Sequence, residues 1–244
     1  MSLRFFILVL LEFASFARGD ETSAAALIQK PESGLLEYQP ATGPTLAPKI
    51  DGVEVSFAAP EILIDRTSGP VEFVAAIWKD EAGRPIHQRE VLSVKPDYAM
   101  VVDYLYETGR HAVVRSFVFS AKATADRQGA QAIVEGDKTL RVHALDGANA
   151  FLARNELVLS SSMAKPLPLA TALVAGHGAP PKIETVKANN PMVVKGKITF
   201  ADGRSDDIAV AWEVRPLHMG AKKFNGWAVC LRHDPRGDND VEIN

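Results

Sequence analysis

The 244-residue chain sets 27 Lys and Arg against 30 Asp and Glu, a formal net charge of −3. No run of basic residues offers phosphate contacts, so nucleic acid is a poor partner, and holding a polyanion would take a local basic patch. At 47% hydrophobic and 23% charged residues, with Cys230 as the one cysteine, the chain can bury a sizeable core but forms no intrachain disulfide and no cysteine-based zinc cluster.

Residues 1–19 read as a secretory signal. Arg4 gives a positive start, residues 5–11 a short apolar run, and Ser15-Phe16-Ala17 a small-residue cleavage frame. Glu12 interrupts the apolar stretch, which is shorter than the ~20 residues of a spanning helix. No later segment is long enough for a membrane span. The expected location is therefore secreted or periplasmic. Residues 20–49 are rich in Ala, Ser, Thr, Gly and Pro and read as a linker or arm.

Residues 50–233 read as strand after strand. Apolar runs at 71–78, 87–95, 98–106 and 110–119 are separated by turn signals and predict an antiparallel meander. Several of these runs are apolar on both faces, which predicts a sheet covered on both sides. Further strands are predicted at 139–145, 151–160 and 169–175, with 176–181 as a loop. Near the end, 193–200 and 208–214 alternate apolar and polar residues with period two and flank Asp202-Gly203, a hairpin-turn pair. Residues 234–244 are polar and read as a flexible tail. No amphipathic helix longer than two turns and no internal repeat is evident. The expected fold is all-β, an antiparallel β-sandwich of the supersandwich kind with an N-terminal signal or arm.

Within that frame a His87-Gln88-Arg89 strand is followed by an Asp97-Tyr98 turn and a Val101-Val102-Asp103 strand. Gly109-Arg110-His111 then leads into Phe117 and Phe119. Pro168-Leu169-Ala170-Thr171-Ala172-Leu173-Val174 and Lys197-Ile198-Thr199-Phe200-Ala201-Asp202-Gly203-Arg204 complete the order. Over residues 50–214 this succession resembles the C-terminal domain of heparinase II/III-type polysaccharide lyases. The resemblance implies handling of acidic polysaccharides by β-elimination, in which Tyr and His serve as base and acid beside a group that neutralises the uronate carboxylate. In that family most such residues lie in an α/α toroid, for which this sequence has no room, and other His and Asp residues, some metal-binding, lie in the first β strands. No His-x-His-x-Asp segment precedes residue 50. No catalytic residue is therefore carried over, and neither a cofactor nor a metal site is expected.

The expectation is an accessory or truncated, carbohydrate-associated domain. Its partners would be an acidic polysaccharide and a separately encoded toroid subunit. A lyase acting alone through sheet residues, and a structural or adhesion protein of the cell envelope, are the alternatives. Candidate substrate-binding residues are His87, Arg89, Tyr98, Tyr104 and His111. Each also has a plainer reading, the histidines as hydrogen-bonded sheet residues and the tyrosines as packing groups. Asp103 is expected to pair with Arg89 or Arg115. Lys195 and Lys197 share a strand face that is either solvated or in contact with carboxylates. The histidines show no metal-ligand spacing.

Overall fold

Period-two alternation makes strands, and a chain that alternates almost throughout becomes sheets stacked on sheets. A computed structural model describes residues 48–54, 60–95, 97–119, 122–135, 138–163, 167–177, 179–237 and 239–243. The expected signal, and all of the expected arm except Pro48 and Lys49, lie outside the described residues.

The chain runs β1 (Lys49–Ile50), β2 (Val53–Glu54), β3 (Glu61–Ser68), β4 (Val71–Lys79), β5 (Pro85–Val94) and β6 (Tyr98–Leu105). It continues through β7 (His111–Val118), β8 (Ala123–Ala125), β9 (Gly129–Glu135), β10 (Lys138–Ala144), β11 (Asn149–Ala153) and β12 (Glu156–Met163). The last elements are β13 (Pro168–His177), β14 (Lys182–Val186), β15 (Val193–Thr199), β16 (Ser205–Met219), β17 (Lys222–His233) and β18 (Asn239–Ile243). No helix occurs among the described residues, so none there is long and apolar enough to cross a membrane.

A central eight-stranded sheet, β3-β4-β5-β6-β13-β10-β9-β8, is flanked by two five-stranded sheets, β11-β12-β7-β1-β2 and β14-β15-β16-β17-β18. One face of the central sheet packs Val74, Trp78, Val101, Val142 and Leu173 with Phe117, Leu157 and Leu159 of the first flanking sheet. The other face packs Phe73, Leu92, Met100 and Val174 with Ile198, Ile208, Val210 and Cys230 of the second. β6 is buried along its whole length, as its doubly apolar sequence requires.

The final hairpin forms as expected: Gly203 holds φ at 89° and the amide of Phe200 bonds the Arg204 carbonyl at 2.9 Å. Elsewhere the structure corrects the strand plan. β7 leaves the meander and pairs with β12 in the neighbouring sheet. Residues 151–160 are two strands rather than one, reversed at Arg154, whose φ of 57° is available at modest cost to a single polar residue in a tight turn. β13 extends through His177 into the segment read as a loop. The segment read as a flexible tail contributes β18, paired to β17, with Ile243 buried in the core. Beyond a register break between Val210 and Arg215, the tip of the β16–β17 hairpin carries Leu217 and Met219 onto the outer face of its own sheet, against Val193, Ala209 and Val229.

Candidate functional site

Alternation along β5 sends His87 and Arg89 to one face of the central sheet and Gln88 and Glu90 to the other. On the first face, His87 Nε2 and Arg89 Nε each lie 2.7 Å from Asp103 Oδ1, and Arg89 Nη2 reaches Oδ2 at 3.2 Å. The indole of Trp78 stacks on the His87 ring, with centroids 4.7 Å apart and planes 13° from parallel. Burial by itself would raise the Asp103 carboxyl, but the Arg89 charge and the bond from His87 overcome it and hold the group at about 2. Burial keeps His87 below its ordinary value, despite the attraction of Asp103. Asp103 thus pairs with Arg89. Arg115 instead grips Asp146 and Thr171 from the adjacent sheet, at 2.7 and 2.8 Å.

On the second face a polar cluster lies where β16 breaks register. Trp212 Nε1 donates to Gln88 Oε1 at 2.9 Å and to the Tyr106 hydroxyl at 2.7 Å, and Tyr106 donates to the same Gln88 oxygen at 3.0 Å. Gln88 Nε2 bridges Glu90 Oε1 and the Trp212 carbonyl, both at 2.8 Å. Tyr104 stacks on Trp212 at 6.3 Å and Tyr106 meets it edge-on at 5.6 Å. Glu90 is fully enclosed, and burial raises its carboxyl well above the usual range against the opposing Gln88 bond and Arg215 charge. Tyr106 and Trp212 are half-buried, Val214, two residues on from Trp212, is 48% exposed, and Arg215 Nη2 donates to the exposed Glu213 at 2.5 Å. These two half-buried aromatic rings, their polar tips tied down by hydrogen bonds, form an amphipathic platform.

A third cluster links the central sheet to the β14–β18 sheet. Arg232 bridges Asp97 at 2.6 Å and Asp206 at 2.8 Å, and Arg204 adds a bond to Asp97 at 2.9 Å. Beside it the buried Tyr98 hydroxyl lies 3.3 Å from Cys230 Sγ, whose thiol burial and the Asp206 charge push up to about 12. Cys230 is thus held as an unreactive thiol.

Of the candidate residues, His87, Arg89, Tyr98 and Tyr104 lie inside the layers rather than on a sugar-facing surface, and they divide between the two faces of the central sheet. His111 stands at the start of β7, at the far end of the connection that begins with Tyr106. Its Nδ1 is 2.8 Å from Asp51 and its Nε2 3.1 Å from the Thr108 carbonyl. Both ring nitrogens face acceptors, so the bond to Asp51 first, then that to Thr108, raises its pKa. Lys195 bonds the His218 carbonyl, and Lys197 lies 3.9 Å from Asp207. The sequence reading missed the Gln88–Glu90–Trp212 cluster. Gln88 and Glu90 carried a signal, as two polar residues in a strand whose neighbours are buried. Trp212 carried none, because it sat in the regular series Ile208, Val210, Trp212, Val214. Among the described residues no group of three or more His, Cys, Asp or Glu is placed to hold a metal ion.

No protein-family profile and no curated protein matches the chain. Solved structures do. The heparan sulfate lyase HepC from Pedobacter heparinus superposes with a TM-score of 0.56 at 13% identity over 71% of this chain. A crystal structure of heparinase III gives 0.51 at 13% over 68%, and the heparinase III BT4657 gene product 0.52 at 10% over 68%. The chain shares the fold of part of a heparinase III. It covers only 29–31% of the length of those lyases. The heparinase III likeness is therefore one of architecture, and at this identity it transfers no substrate and no catalytic residue.

Proposed function

We propose that the protein is a β-sandwich module for handling acidic polysaccharide, related in fold to heparinase III lyases and acting outside the cytoplasm. The single observation that carries this reading is the superposition of the three-sheet body on lyases that include one acting on heparan sulfate. The half-open Tyr106–Trp212 platform, with His111 at the other end of the same connection, is the surface assigned to sugar contact. His87, Arg89, Tyr98 and Tyr104 serve this surface from behind by holding the layers. The base and acid of β-elimination would come from a separately encoded helical toroid. The apolar run after Arg4 supports export to the periplasm or medium.

A non-catalytic envelope or adhesion role is the second reading. The observation that favours it is that the buried His87, Arg89 and Asp103 are engaged with one another. One experiment separates the two. The purified protein is mixed with heparin, heparan sulfate and alginate, alone and with the toroid-bearing product of a neighbouring reading frame, and absorbance of unsaturated uronate is followed. Glycan binding alone, with product released only in the mixture, is the expected result. Absence of binding and of product in every combination rejects the polysaccharide reading.

A further inference from the structure

The start of β7 draws two separate parts of the chain onto one imidazole. Asp51 and Gly52 hold φ at 49° and 85°, which reverses β1 into β2 through a two-residue loop. Ile50 seats this ribbon against Leu105, Val113, Met163 and Leu169, and the Asp51 amide bonds the Ala112 carbonyl at 2.9 Å. Asp51 Oδ1 accepts from the Ala112 amide at 2.9 Å, and Oδ2 meets His111 Nδ1 at 2.8 Å. On the other side of the ring, Nε2 lies 3.1 Å from the Thr108 carbonyl. Gly109 permits that approach: its φ is 115°, and a Cβ there would stand 3.3 Å from Nε2.

Counting hydrogens decides what the ring can hold. A carboxylate and a carbonyl only accept. Neutral imidazole carries one N–H and imidazolium two, so both bonds exist together only when His111 is protonated. The His111 bond first, then the Ala112 amide, lower the Asp51 carboxyl, which keeps it ionised near neutral pH. It is the stronger acceptor of the two. The neutral ring therefore keeps its hydrogen on Nδ1 and turns a lone pair toward the Thr108 oxygen. Glu107 adds a weaker attraction for the charged ring. Arg110 next to it is exposed, Lys49 faces Glu54 across the ribbon, and the β12 residue opposite His111 is the uncharged Met163. Upstream, the Tyr106 amide is pinned to the Ile86 carbonyl at 3.1 Å, so the slack lies in residues 107–110, which are exposed.

We infer that His111 is a proton-operated clasp that ties the 107–110 connection to the β1–β2 ribbon when both ring nitrogens carry hydrogen and lets the connection go when one is lost. Its folded pKa is raised, so its contribution is present below the unfolded value of 6.5 and is lost as pH rises through the folded one. The clasp stands on its own geometry and does not need the sugar contact assigned to this surface.

The test is a titration of 15N-labelled protein from about pH 5 to about pH 9, without glycan, following the His111 ring nitrogens. The wild-type midpoint should lie above 6.5, and the neutral ring should keep its hydrogen on Nδ1. Motion of the Thr108, Gly109 and Arg110 amides, read by the heteronuclear NOE, should increase above that midpoint. Asp51→Asn retains tolerance of positive φ and the oxygen that accepts from Ala112, but its amide can donate to Nδ1. In that variant the midpoint should fall, the neutral ring should carry its hydrogen on Nε2, and the three amides should stay ordered at high pH. A wild-type midpoint at or below 6.5, a neutral wild-type ring protonated on Nε2, or amide motion that ignores pH overturns the clasp. The wild-type arm decides this by itself should the variant lose its ribbon. Any of these failures strikes the clasp alone and leaves the proposed function standing.

Discussion

Asp103 and Glu90 sit on opposite faces of one sheet and respond to pH in opposite senses. Asp103, held at about 2, contributes stability that is present above its unfolded value of 3.8 and is lost as pH falls through the folded value. Replacing Arg89 with Met would leave that carboxylate buried beside a histidine alone, and a loss of about 3–5 kcal/mol in urea unfolding is expected. Acid unfolding of that variant should also begin at higher pH. Glu90 is raised from 4.5, so its contribution is present below that value and is lost as pH rises through the folded one. Glu90→Gln should therefore gain on wild type as pH rises, and flatten the stability slope on the alkaline side. A parallel slope in the two proteins would show that Glu90 is ionised without penalty in the fold.

Strands with strict alternation were legible as elements, and the Asp202-Gly203 hairpin was legible down to its turn. What alternation could not reveal is which sheet a strand joins. β7 follows β6 directly in sequence, yet its partners are β12 and β1, because the face bearing Phe117 closes the far side of the core. The chain end misled for a related reason. β18 is polar except for Val241 and Ile243, but an edge strand needs apolar residues on one face only. Ile243→Ala should cost about 2–5 kcal/mol, measured by denaturant unfolding, because it opens a space beside Cys230 and Ala228 in the core. Unchanged stability would return the segment to a frayed tail.

At the scale of the molecule, the doubly apolar runs of β4 and β6 foretold a covered central sheet, and three stacked sheets are the result. The candidate site was legible only in part. Of its buried members Tyr104 was named from β6 while Gln88 and Glu90 of β5 were not, and the platform depends on a register break in β16 that brings Trp212 from a distant strand onto Gln88 and Tyr106, a meeting no local signal records. Its most direct test uses the indole Nε1 resonances of the three tryptophans, Trp78, Trp212 and Trp227. On titration with a heparan sulfate oligosaccharide, the Trp212 resonance should shift and saturate while that of the buried Trp78 stays in place. A saturating ligand that leaves Trp212 unmoved, or no binding to any acidic polysaccharide, would contradict the account.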